Sequence, residues 1–205
     1  MQDIIRWLGH DTFRITLSKK IYTDPYKITT RDIADIILVT HEHYDHCSPD
    51  DIDKLRGPQT VVIAPPDCAP KISGSIKSMS PGDTVVSDGV TVRAVPAYNT
   101  NKQFHPQSRA WVGYVIMVDG MSFYLAGDTD FIPEMKQLGQ IDIALLPVSG
   151  TYVMTAEEAA QAALLIRPKV AIPMHYGSVV GSENDAERFA ALLKDKVDVR
   201  ILKKG

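Results

Sequence analysis

Ile36-Ile37-Leu38-Val39 is an unbroken apolar run that leads, after one threonine, into His41-Glu42-His43-Tyr44-Asp45-His46. A short run without polar alternation marks a strand buried on both faces. Covering both faces of that strand while its end carries a cluster of histidines leaves few architectures open. The chain must place the strand in a sheet with a layer on either side and turn the cluster out at the sheet edge. Val61-Val62-Ile63, Ile141 to Leu146 and Val170-Ala171-Ile172 read as further buried strands. Residues 3–8, 12–17 and 20–23 read as short strands, and Asp24-Pro25 closes that run because proline cannot continue a ladder. Residues 84–86 and 90–95 form a hairpin around Ser87-Asp88-Gly89, and 111–118 with 121–126 form another turning at Asp119-Gly120.

Helix starts are equally legible. Ser48-Pro49-Asp50-Asp51 places serine at the cap, proline in the first turn and acids behind it. Thr155 and Glu158 form a capping box for a helix to about Arg167, stopped by Pro168. Another helix is expected from about Ser182 to Lys194, and a last strand at 197–202. Hairpins mixed with strand–helix units predict a layered α/β (α+β) domain of two sheets with helices outside, filling 1–205 as a single unit.

Lysine and arginine total 22 against 25 acidic residues, a net charge of −3, which argues against duplex nucleic acid as the main partner. Cys47 and Cys68 make no Cys-x-x-Cys pair, so redox and thiolate-zinc chemistry are not indicated. No leader pattern or apolar span is visible, and the expectation is a cytoplasmic protein with no membrane partner.

The chemistry concentrates at strand ends. His41 and His43, two residues apart, can point the same way from an extended segment, and Asp45 and His46 follow a bend. Imidazole and carboxylate donors suit zinc, manganese or iron. Four such residues exceed what one open catalytic ion requires, so two ions are expected. Met121 to Ala126 runs into Gly127-Asp128, where a carboxylate could bridge two ions or cap the following helix. Val170 to Ile172 runs into Pro173-Met174-His175-Tyr176-Gly177, which offers a further histidine.

THEHYDH, AGDTD and PMHYG, in that order, resemble the metallo-β-lactamase superfamily. WLGHDTFRI and the TDP after the third strand resemble its branch related to L-ascorbate-6-phosphate lactonase. The resemblance implies a four-layer αββα sandwich of two mixed sheets, with metals at one edge between them. It implies His41 and His43 on the first ion, Asp45, His46 and His175 on the second, and Asp128 bridging. The family supplies one more first-site histidine from the loop after a middle strand. That position here reads Asn99, and His105 is the only histidine between His46 and His175. His105 on a longer loop is the reading taken, with Asn99 as an oxygen ligand the alternative.

The same likeness sets His10 at the rim of the site, where it could touch substrate, and Asp24 behind a ligand imidazole. Tyr176 and Tyr44 could offer hydroxyls to the pocket or simply pack. Lys102 and Arg109 could hold an anionic group or be solvated charges. The implied activity is that of a metal-dependent hydrolase. Two divalent ions, zinc foremost and manganese or iron as alternatives, would activate water against a small-molecule ester, lactone or phosphodiester. Asp45 and Asp128 would serve catalysis directly, and a homo-oligomer is open. Rival readings are a metal-binding member without catalysis, a metallo-nuclease, and a di-iron oxidoreductase on the same fold.

Overall fold

The computed structural model describes residues 4–205. The expected start of the first strand at residue 3 therefore lies outside the described residues. The first sheet takes β1 (Ile5–Gly9), β2 (Thr12–Thr16), β3 (Lys20–Thr23), β4 (Ile36–Leu38), β5 (Val61–Ala64) and β6 (Lys77–Ser78) in chain order. Its first three strands pair antiparallel, and β3 to β6 run parallel. The second sheet holds β7 (Thr84–Ser87), β8 (Val90–Pro96), β9 (Val112–Val118), β10 (Met121–Leu125), β11 (Ile143–Pro147), β12 (Val170–Met174) and β13 (Asp198–Val199). Here β7 to β10 are antiparallel and β10 to β13 parallel. Both sheets are thus mixed, as expected.

Side-chain alternation explains the layering. Ile36 and Leu38 of β4 join the large core shared by both sheets, while Ile37 and Val39 join a smaller core. That second core includes Ile52 and Leu55 of α1 (Pro49–Leu55). The period of two sends successive residues to opposite faces, so a strand with a core on each side reads as continuously apolar. On the second sheet, α2 (Ala156–Ile166) packs on β11 and on α3 (Glu183–Leu193), which also reaches β12. The Thr155–Glu158 capping box forms as the sequence predicts.

Strand directions place the chemistry. The strands β1, β3 and β4 point the same way, as do β8, β10, β11 and β12. The segments after their C-terminal ends carry, in turn, His10, Asp24, His41, Asn99, Asp128, Ser149 and His175. Ligand sites at the carboxyl ends of parallel strands are general in α/β sheets. Gly127 (φ +65°) is required where β10 hands over to Asp128, because a Cβ there would press on Thr40 Cβ and Val112 O, both at 3.1 Å.

Some local expectations change. The last strand is only Asp198–Val199, not 197–202. Beyond Arg200 the chain leaves β12, and Lys204 bridges to Trp7 of β1. Asp128 caps no helix. The turn that follows is a 3-10 segment, Pro133–Gln137, whose N-cap is Ile132. Among the described residues, no helix is long and apolar enough to cross a membrane.

Candidate metal centre

Four imidazoles have their outward nitrogen tied before they reach the centre. Thr40 Oγ1 spends its proton on Asp24 Oδ2 at 2.7 Å, so at 3.0 Å it accepts from His41 Nδ1. His46 Nδ1 donates to Asp24 Oδ2 at 2.9 Å. His105 Nδ1 donates to Asn99 Oδ1 at 3.1 Å, and Ser149 Oγ holds His175 Nδ1 at 2.9 Å. All four therefore present Nε2 inward, an outer-layer arrangement typical of metal-ligating histidines.

The inward atoms form two sets. His41 Nε2 and His43 Nδ1 lie 3.0 Å apart, and His43 Nδ1 and His105 Nε2 lie 3.2 Å apart. The second set is His10, Asp45, His46 and His175, with donor atoms within 4.8 Å of one another. Asp128 stands between the sets. Its Oδ2 is 3.2 Å from His105 Nε2 and 3.1 Å from His175 Nε2, and its Oδ1 is 3.4 Å from His46 Nε2.

These residues fit metal ions. His41 Nε2 carries no proton in the neutral ring, because Nδ1 has it, so its lone pair faces His43 without a donor of its own. Buried His46 Nε2 and Asp128 Oδ1 have no hydrogen-bond partner. Bonds of about 2.0–2.1 Å at tetrahedral angles put ligand nitrogens roughly 3.3 Å apart, close to the observed spacing.

Charge is distributed unevenly. Burial and the neighbouring His46 hold His41 well below the usual histidine range, and burial with His105 lowers His43. Burial opposes a proton on His46 as well, but Asp128, Asp24 and Asp11 outweigh it and raise its pKa well above the usual value. His175 is raised likewise, with Asp128 and Asp11 overcoming burial. Burial would raise Asp128, yet His175, His46 and His105 hold it well below the carboxylate range. Asp128, Asp24 and Asp11 thus favour the protonated forms of His46 and His175 when no metal is bound. A metal must displace those protons, so affinity should rise with pH through neutrality. Calorimetry of zinc binding in buffers of differing ionisation enthalpy should show net proton release at pH 7. A pH-independent affinity with no proton release would contradict this charge distribution.

A model for a beta-lactamase superfamily domain matches residues 4–175. The metal-dependent hydrolase of Thermococcus kodakarensis designated UPF0173 is 35% identical over 98% of this chain and 96% of its own length. The chain belongs to the UPF0173 metal-dependent hydrolase family of the metallo-β-lactamase superfamily. A Parabacteroides distasonis protein, provisionally designated a metal-dependent hydrolase, has a crystal structure with TM-score 0.87 at 38% identity, covering 97% of this chain and 93% of that one. Igni18, a metallo hydrolase from Ignicoccus hospitalis, superposes with TM-score 0.82 at 26% identity, covering 98% and 95%.

Within this UPF0173 site, several residues stand elsewhere than the sequence suggests. His10 is 1% exposed and does not reach the rim. Its Nε2 meets Asp45 Oδ2 at 3.1 Å, its ring lies 4.2 Å from that of His175, and burial lowers its pKa to about 4. It is therefore a neutral buttress for Asp45. Burial disfavours a charge on Asp45, but the His10 bond and His46 hold its pKa near about 2. Tyr176 offers no hydroxyl to the cleft: it is buried and stacked on Trp7 at 4.8 Å, in an apolar contact. Lys102 is held by Asp130 at 2.6 Å, and Arg109 by Glu42 at 3.3 Å, so neither lines the cleft. Asn99 lies behind His105, not in its place, and also donates to Asp130 Oδ1 and Tyr152 O.

Sequence reasoning missed Thr40, Ser149, Asp130, Trp111 and Asp11. Trp111 walls the first set, its ring 4.8 Å from His43 and 5.5 Å from His105, while its Nε1 donates to Asp67. Asp11 is fully buried, neither of its oxygens has a partner, and burial pushes its pKa up to about 7. Short polar residues beside a motif carry no signal of their own; only the fold sets them against the ligand rings. Asp24→Asn should weaken metal binding roughly 10–100-fold while leaving the fold intact, read by competition with a chromogenic chelator. Unchanged affinity would remove Asp24 from any orienting role.

The centre opens on a cleft of about 250 Å³. His43, Asp45, His105 and Asp128 form its floor, and Tyr44, Phe104, Tyr152 and Val179 its walls. A larger groove of about 430 Å³ lies between β1 and residues 201–205, away from the donor sets.

Proposed function

We propose that this protein hydrolyses a small-molecule carboxylic ester, lactone or phosphodiester with two divalent ions, zinc foremost. His41, His43 and His105 would hold one ion, Asp45, His46 and His175 the other, and Asp128 both. The observation that carries this reading is the pair of donor sets sharing one carboxylate at the floor of a cleft. Ions at such a site lower the pKa of water from 15.7 to about 7 and polarise the oxygen of the group under attack.

The chain's own residues do the rest. Asp45, ionised and steadied by His10 Nε2, faces the cleft and can orient the attacking water by accepting its hydrogen bond, the water's proton going to the leaving alkoxide. Asp24, Thr40, Asn99 and Ser149 hold the imidazoles in one tautomer and orientation. Water adds at the carbonyl carbon, the ester C–O bond breaks, and an acid and an alcohol leave. Lactones fall within this class, in keeping with the likeness of WLGHDTFRI to the lactonase-related branch. The test is a panel of aryl esters, lactones and aryl phosphodiesters given to zinc- and manganese-loaded protein. Turnover that chelation abolishes and metal restores is expected. No turnover of any probe in either metal form would overturn the reading.

A further inference from the structure

We infer that the cleft selects an uncharged carboxylic ester whose group beside the scissile bond is apolar, and that Phe104 and Tyr152 set this preference. The inference rests on the hydrolase reading above and narrows it. Opposite the donor sets, the cleft is walled by Phe104, Tyr152, Val179 and Tyr44. Phe104 and Tyr152 meet edge-to-face, ring centres 4.6 Å apart at 81°. Phe104 remains 51% exposed, a large apolar face left open to water beside the cleft. The Tyr152 backbone is fixed from behind, because its carbonyl accepts from Asn99 Nδ2 at 2.8 Å. This aromatic wall is therefore tied to the same residue that orients His105.

Lys102 and Arg109 are committed elsewhere, and Lys27 lies on the far side of Tyr44, over the Tyr26 ring at 4.9 Å, away from Phe104 and Tyr152. Asp130, 1% exposed, draws on Lys102 Nζ at 2.6 Å, Asn99 Nδ2 at 3.1 Å and the Thr100 amide at 2.7 Å. Moving Lys102 to a substrate anion would strip a buried carboxylate of its counter-charge, the most expensive kind of loss. Arg109 turns to Glu42, which also takes Lys71 at 2.9 Å, and lies 5.6 Å over Trp111. Among the described residues lining the cleft there is no lysine or arginine. The apolar wall is offered to the part of the substrate that does not react, and an anionic tail laid on Phe104 and Tyr152 would lose hydration without gaining a partner there.

The test compares 4-nitrophenyl pentanoate with 4-nitrophenyl hemisuccinate, which share a leaving group and differ in a terminal carboxylate. Bis(4-nitrophenyl) phosphate is the third probe, all against the metal-loaded protein. The uncharged ester should lead in kcat/KM by about tenfold or more, and Phe104→Ala and Tyr152→Ala should each erase most of that lead through KM. Arg109→Ala should leave the ranking unchanged. Binding is read separately, by calorimetry with a non-hydrolysable ketone analogue of each ester, and should show the same order. Equal or reversed preference, or an anion preference that Arg109→Ala abolishes, would overturn this inference while leaving the hydrolase reading standing. Selective binding of the uncharged ketone with no turnover of any probe would do the opposite.

Discussion

Asp128→Ala should lower kcat/KM by about 10³-fold or more and reduce bound metal from two ions per chain to one or fewer, with the circular dichroism unchanged. The size of the effect follows from the position of the carboxylate. Its two oxygens face His46, His105 and His175, which belong to both donor sets. Removing it uncouples the sets and takes away the strongest anionic stabilisation of His46 and His175. Those rings can then lose their protons, so the fold is not asked to bury bare positive charge. Retention of full activity and of both ions would remove Asp128 from the centre of the mechanism.

His105→Ala should leave the first set with two nitrogens, His41 Nε2 and His43 Nδ1. With Asp128 the first ion would keep three protein donors of four, one of them shared with the second ion, so its affinity should fall steeply and about one ion per chain should be lost along with most activity. Asn99→Ala should act in the same direction but more weakly, roughly 10–100-fold in metal affinity, because it frees the His105 ring without deleting it. The contrast separates the two assignments. An Asn99 that ligates would make its loss as severe as that of His105, and an exposed-loop His105 would leave occupancy and activity untouched. Its burial at 1% exposed already sets it apart from a solvated loop residue.

The elements of this fold were legible wherever local rules decide structure. The Asp119-Gly120 hairpin, the Thr155–Glu158 capping box and the apolar run at 36–39 lie where the pattern predicts. The weak spot was the C-terminal strand, where Arg200 and Ile201 are exposed and pairing depends on a distant partner, Trp7. At the site, the clustered motif announced itself through spacing, Asp128 and His175 through their places at strand ends, and a family likeness added which ion each would hold. Thr40 and Ser149 were hidden because they are ordinary polar residues until two sheet edges meet, whereas Asn99 was marked by its place in the pattern and stands behind the His105 ring. Lys102 and Arg109 mislead for the same reason: a cation near a motif in sequence can be pointed at Asp130 or Glu42 in space.

The central claim is that two complete donor sets share Asp128, and metal content per chain tests it most directly. Elemental analysis of protein purified without chelator, after supplementation with zinc and then manganese, should give close to two equivalents per chain. One equivalent or none under the same conditions would show that the His41, His43 and His105 set does not hold an ion, and would contradict the account.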